Sequence, residues 1–341
     1  MNGKTGRVMT ALVVLSLIAA ACGDDGGEGG GITRIAISGS STVEPVSARV
    51  AQAFTDIPEN SSVAIAVDGP GTSDGFVIFC NGETDISDAS RAIKPAELET
   101  CLANGVEPIE IKVAIDGLSV ITSVNNNAVS CLDFGDLYAL LGAESVGFDN
   151  WSDADALAAE LAGAGLGGSH APYPDAPLVV TAPGEESGTF DSFIEIVLEG
   201  TAEERATEPE PRLDYQASAN DDVIIDGISR NDTSLGWVGY AFYINNTESV
   251  KALEIDGGDG CVAPNPGTIA SGEYPISRPL FIYVNAAALE AKPRLAEFVD
   301  FYVGEAGNVA VDGAGYVRLT DDERAMWKAN WDARTVGKID G

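Results

Sequence analysis

Residues 33–54 read TRIAISGSSTVEPVSARVAQAF, and this stretch decides the fold class. The first six residues alternate and are rich in β-branched side chains, the pattern of a strand. A loop of Gly, Ser and Thr follows. Residues 46–54 then carry apolar side chains at helical spacing. The alternation continues outward. Residues 63–67 read as a second short strand, 97–103 as a helix, and 109–115 (IEIKVAI) as a further strand. Strand and helix in regular alternation predict a mainly parallel α/β sheet with ligand loops at its strand ends.

The rest of the chain keeps this character. Residues 118–124 extend the strand pattern, and 134–141 and 154–161 read as helices. A Pro-rich stretch at 171–177 precedes a predicted strand at 178–182, with a helix at 191–198 beyond it. Residues 201–211 are acidic and read as an exposed loop. The run 276–284 (ISRPLFIYV) is strongly strand-like, and 293–303 is an amphipathic helix. There is no repeat of fixed period.

The 341-residue chain has 19 Lys plus Arg against 53 Asp plus Glu, a formal net charge of −34. Few cations are left to replace phosphate counterions, so nucleic acid is excluded as a partner. A basic patch holding the chain on anionic lipid is excluded by the same arithmetic. Hydrophobic content of 45% is too high for general disorder. The one histidine, His170, argues against a multi-histidine zinc site and against a Ser-His-Asp triad. No metal or other cofactor is expected.

Lys4 and Arg7 precede an apolar run at 8–21 that ends in Ala19-Ala20-Ala21-Cys22. This is the plan of a secretory signal, too short for a comfortable span. Small residues directly before Cys22 resemble a bacterial lipobox, although Ala19 stands where Leu is usual. Residues 1–21 are thus expected to be a signal peptide, and 22–31, Gly-rich and acidic, a tether lipidated at Cys22. Cleavage removes Lys4 and Arg7, taking the formal charge from −34 to −36. Four cysteines then remain, an even number in an exported chain, which suggests two disulfides. Four cysteines allow three connectivities. Cys80 with Cys101, which flank one short segment, and Cys131 with Cys261 is the preferred one. A four-thiolate metal site is disfavoured because no CxxC pair is present.

Four segments rich in Gly, Ser, Thr or Asp interrupt the regular elements: SGSSTVEP (38–45), DGPGTSDGF (68–76), DISDASR (85–91) and PGEESGTF (183–190). A helix start offers free N–H groups and the positive end of its dipole. Hydroxyls add donors, and glycine lets an anion approach the backbone. One such loop would be read as helix capping. Four, spread over both halves of the chain, point to an oxyanion site.

The same segments, with ETDISDASR (83–91), YQASANDDVIIDGI (215–228), SLGWVGYAFY (234–243) and YPISRPLFIYV (274–284), resemble in order the phosphate-binding protein of high-affinity phosphate ABC transporters. The resemblance runs from about residue 32 to the C-terminus. It implies a type II periplasmic-binding-protein fold: two α/β lobes joined by two crossover strands, with the ligand cleft between them. By analogy lobe 1 is 32–116 plus 277–341, and lobe 2 is 117–276.

The resemblance also implies a site. Ser41, Thr42 and Val43 match the family's first ligand loop, and Ser73 the hydroxyl of the second. Asp88 matches a ligand-facing Asp, and Ser187, Gly188 and Thr189 match a helix start that closes from the other lobe. Many members carry an Arg just ahead of this last loop, where this chain has Pro183. Arg91 is the candidate replacement, since a guanidinium pairs with an oxyanion through two N–H groups. Asp88 is also the candidate proton acceptor, since a carboxylate favours a protonated anion over fully ionised sulfate.

The implied function is capture of inorganic phosphate outside the cytoplasm by a lipid-anchored, monomeric receptor that delivers it to an ABC permease. The alternatives are a receptor or sensor for another tetrahedral oxyanion, or an exported phosphatase or serine hydrolase using Ser187. The last is disfavoured: ESGTF lacks the GxSxG elbow, and His170 sits in a Gly/Pro-rich stretch with no sign of reaching Ser187. No enzyme activity is expected.

Overall fold

The computed structural model describes residues 32–338. The expected signal, the tether and Cys22 lie outside them. The first half alternates as expected: β1 (Thr33–Gly39), α1 (Glu44–Thr55), β2 (Val63–Asp68), α2 (Thr72–Cys80), β3 (Ile86–Ala89), α3 (Pro95–Ala103) and β4 (Pro108–Ser123). There follow β5 (Cys131–Asp133), α4 (Phe134–Leu141), α5 (Asp155–Gly163), β6 (Thr181–Ala182) and α6 (Gly188–Phe193). A π-helical turn, Ile194–Leu198, carries α6 into α7 (Glu199–Arg205). The second half is completed by β7 (Gln216–Ala217), α8 (Asp221–Ser229), β8 (Leu235–Gly239), α9 (Tyr240–Tyr243), β9 (Val250–Ala252), β10 (Glu254–Asp256), β11 (Cys261–Val262) and α10 (Pro266–Ser271). Last come β12 (Ser277–Asn285), α11 (Pro293–Tyr302), α12 (Glu305–Ala314) and α13 (Asp321–Ala333).

The main sheet has the order β2-β1-β3-β12-β4-β8, with β9 also on β4. It is mixed rather than mainly parallel. β1 runs parallel to β2 and β3, but β12 is antiparallel to both β3 and β4, and β4 is antiparallel to β8 and β9. The two runs read as separate strands, 109–115 and 118–124, are one strand of 16 residues. It changes partner midway. Up to Gly117 it pairs with β12, and from Leu118 onward with β8 and β9. β4 thus pairs with β12 along its first part and with β8 and β9 along its second, while β12 pairs with β3 and β4.

Three other expectations change. Residues 85–91, read as a loop, contain β3, a buried strand between β1 and β12. The strand at 178–182 shrinks to Thr181–Ala182. The acidic stretch from residue 201 is helical to Arg205, with Thr201 and Ala202 buried. Glu, Ala and Arg favour helix even where their charge suggests a loop.

Helix α1 buries one face, whereas α4 is buried all round from Gly135 to Leu141. In α1, Pro45 and Glu44 suit the first turn, and Val46, Val50, Ala51 and Phe54 are buried. Phe54 meets Phe298 and Phe301 edge-on at 5.4 Å between ring centres. Disulfides join Cys80 to Cys101, tying α2 to α3, and Cys131 to Cys261, tying β5 to β11. No helix among the described residues is long and apolar enough to cross a membrane.

Candidate functional site

The turn from β1 into α1 is set by backbone packing. Gly39 has φ +154°, and a Cβ there would lie 2.0 Å from the Asp88 carbonyl oxygen. Ser40 N–H donates to that same carbonyl at 2.9 Å, while the Ser40 carbonyl accepts from Val43 and Glu44 N–H. Thr42 N–H donates to Ser40 Oγ. The N–H groups of Thr42 and Val43 are thus engaged within the loop, and Val43 is fully buried. The hydroxyls reach further. Ser41 Oγ donates to Asp191 Oδ2 at 3.0 Å, and Thr42 Oγ1 lies 3.5 Å from Ser192 Oγ. Loop 38–45 and the segment after Ser187 are therefore in direct contact.

The second loop packs on the first. Gly71 N–H donates to the Gly39 carbonyl at 2.8 Å. Thr72 Oγ1 accepts from Ser90 N–H and lies 2.9 Å from Ser90 Oγ. Ser73 Oγ accepts from Arg91. Arg91 itself makes a two-pronged ion pair with Glu97, at 2.9 and 2.7 Å. Burial pushes the Glu97 carboxyl up, but Arg91 and the Lys94 N–H outweigh it and hold the group below its usual range. Arg91 reaches the cavity wall with its charge already matched.

Asp88 lies within β3, fully buried. Its Oδ1 accepts from Ser47 Oγ at 2.9 Å, and Ser47 Oγ lies 3.0 Å from Tyr302 Oη. Oδ2 has no hydrogen-bond partner among the described residues. Burial raises this carboxyl to about 7, against the Ser47 hydrogen bond and with help from Glu44 and Asp68.

On the facing segment, Ser187 caps α6, its Oγ accepting from Thr189 N–H at 3.2 Å. A Cβ on Gly188 would come within 3.8 Å of Ser41 and Thr42. The π-helical turn that follows adds a residue to the helical repeat, a feature frequent at functional sites. Asp191, Ser192 and Glu195 of this segment all make contacts across to other loops.

These contacts converge on Arg278, which the sequence reading did not single out. It sits at the start of β12, and its side chain is 11% exposed. Its Nη2 donates to Thr42 Oγ1 at 3.0 Å and to Ser192 Oγ at 2.7 Å. Its Nη1 pairs with Glu195, and its Nε lies 3.5 Å from Asp116 Oδ2. Ser192 Oγ also donates to Asp116, whose carboxyl burial raises against the pull of Arg278. A cation at the head of an otherwise apolar strand was the available signal, but Thr42 lies 236 residues away.

A cavity of about 570 Å³ opens here, lined by Thr72, Ser73, Ser90, Arg91, Glu195 and Arg278, among others. Hydroxyls, a helix start and two guanidinium groups suit an oxyanion. A cavity of similar size, about 590 Å³, is lined by Asp133, Asp256 and the glycines at 165–168. Its charged lining is acidic, which disfavours an anion. His170 belongs to that region, not to Ser187. Its Nδ1 lies 2.6 Å from buried Asp136, which also accepts from Tyr173. The half-exposed imidazole is therefore a paired group rather than a free surface one.

Residues 26–306 match the model of the PBP superfamily domain. Protein SphX of Synechocystis sp. is 35% identical over 308 residues, covering 90% of this chain and 84% of that one. The phosphate-binding protein PstS of Staphylococcus epidermidis is 30% identical over 321 residues, covering 92% and 89%. The crystal structure of a possible phosphate binding protein from Planctomyces limnophilus superposes with a TM-score of 0.77 at 33% identity, covering 89% of this chain and 99% of that one. The fold is the two-lobed one of these proteins, and the chain belongs to the periplasmic-binding-protein (PBP) superfamily and, within it, to the family of the PstS phosphate-binding proteins.

Proposed function

We propose that this chain captures inorganic phosphate in the cleft between its lobes and delivers it to the permease of an ABC transporter. The observation that carries the reading is the convergence of Thr42, Ser192 and Arg278 at 2.7–3.0 Å, beside the start of α2. A buried guanidinium and converging hydroxyls are what a desolvated phosphate needs. The names of the relatives point the same way.

The partner exchange of β4 at Gly117, and the start of β12 at Ser277, support lobe boundaries at 116/117 and 276/277. Hinge motion about these two strands would couple occupancy to shape, the signal a permease reads. Ser41, Thr42, Ser73, Ser187, Gly188 and Thr189 then serve as donors or as backbone that lets the anion approach, with Val43 fixing the loop from within. Arg278 takes the role first sought in Arg91, whose own part is to hold Ser73. Asp88 Oδ2, lacking a partner, is the acceptor for a phosphate proton. Lipidation at Cys22, attachment to the outer face of the cell membrane and a monomeric state complete the reading.

The family is one of solute-binding proteins rather than enzymes. We infer no hydrolysis: Ser187 Oγ is engaged as a helix cap, and the one imidazole serves a separate network. The test is calorimetric titration of folded, ligand-stripped protein with phosphate, in competition with sulfate, arsenate and molybdate. Saturable uptake of phosphate in preference to sulfate is expected. No heat and no displacement with phosphate would overturn the proposal.

A further inference from the structure

Glu195 stands where a ligand oxygen would be welcome. Its Oε2 pairs with Arg278 Nη1 and receives Ser90 Oγ at 3.5 Å. It therefore gathers donors from β12 and from the end of β3, while itself lying on the π-helical turn of the facing segment. It also lines the 570 Å³ cavity together with both of those residues.

Arg278 thus meets two carboxylates of different character. Asp116 is 2% exposed and approaches Nε from within, held by Ser192 Oγ at 2.7 Å. Removing its partner would strand a buried charge, which is costly, so this contact is permanent. The Glu195 side chain is 47% exposed. It can turn into water more readily than Asp116 can, since its own carboxylate is already half solvated. With both carboxylates in place the surroundings of Arg278 are net negative, which repels a second anion.

We propose that Glu195 is a resident competitor for the oxyanion site: it occupies Arg278 and Ser90 until phosphate displaces it, and so sets the affinity. The inference rests on the proposed phosphate reading. It is opposed to the view in which Glu195 merely orients Arg278 for the ligand. The two views predict opposite signs. A competitor that is neutralised leaves the ligand bound more tightly; an orienting group that is neutralised leaves it bound more weakly.

The experiment is phosphate titration of the ligand-stripped protein, wild type beside Glu195→Gln and Glu195→Ala. Folding of each variant is checked by circular dichroism. Both substitutions are expected to tighten binding on the order of fivefold, the upper end for an ion pair with a solvated partner. The gain should appear in the association rate, because phosphate would no longer have to displace Glu195 from Arg278 on entry. Trp237, stacked 4.0 Å from Phe193, offers a fluorescence signal close to the turn that carries Glu195. Folded variants that bind phosphate as the wild type does, or more weakly, overturn the inference while leaving the phosphate reading intact. A wild type that takes up no phosphate overturns that reading, and this inference with it.

Discussion

At the scale of single residues, two buried charges carry the most testable chemistry. Asp88 has a carboxyl raised from 3.8 to about 7, chiefly by burial. Below its unfolded value the group is protonated in both states, and burial costs little. As pH climbs from about 4 to 7, the unfolded chain releases the proton while the folded chain keeps it. Stability therefore falls across that window and stays lower above it, by about 4 kcal/mol at most. Asp88→Asn should flatten this slope, so that the variant gains on the wild type as pH rises. Urea denaturation at pH 4.5 and pH 8 would show it; parallel slopes for the two proteins would rule out the assignment. Arg278 differs in being paired in place by Asp116, Glu195, Thr42 and Ser192. Arg278→Ala should reduce phosphate affinity by about a hundredfold or more, the usual cost of truncating a desolvated charge contact. Arg91→Ala should cost far less, because Arg91 holds Ser73 and Glu97 and takes no part in the convergence of Thr42 and Ser192 on Arg278. Equal losses in the two variants would return Arg91 to the centre of the site.

At the scale of elements, the site is built by close approach of backbones. Gly75, in the first turn of α2, would place a Cβ 2.4 Å from the Gly39 Cα. No flexible side chain is there to give way. Gly75→Ala should therefore push α2 off β1, costing about 1–3 kcal/mol as overpacking does, and should weaken binding because Thr72 and Ser73 move with the helix. A denaturation midpoint unchanged by the substitution would show that the helix has slack. This scale also explains what could be read in advance. The β1-loop-α1 unit was legible because its period changes from two to 3.6 at a Gly-Ser-Thr loop. β3 was not, because Ile86-Ser-Asp-Ala has the composition of a loop. It is a strand because β1 and β12 supply backbone partners on both sides, a tertiary fact that overrides local propensity. Arg278 escaped notice for a related reason: its partners at Thr42, Asp116 and Ser192 come from three distant stretches.

At the scale of the whole molecule, the acidic excess and the anion site act over different distances. Charges in water are screened within about 8 Å at physiological ionic strength, whereas the cleft is governed by contacts near 3 Å. A formal charge of −34 on 341 residues nonetheless repels itself in the compact state. Ion pairs such as Lys112–Glu323 and Lys292–Asp85 oppose this, but 19 cations cannot offset 53 anions. Screening should then remove more repulsion than attraction. Raising sodium chloride from 10 mM to 1 M is expected to lift the thermal midpoint of ligand-stripped protein by about 2–5 °C. Chloride is preferable to sulfate, which stabilises folded proteins by exclusion and competes for oxyanion sites. Phosphate affinity should respond in two parts. Relief of the bulk repulsion favours approach of the anion, while the short contacts within the closed cleft are screened much less. Association should therefore quicken with salt and dissociation change little. A midpoint that falls as salt rises would mean that the paired cations, rather than the unpaired carboxylates, dominate the electrostatics of folding.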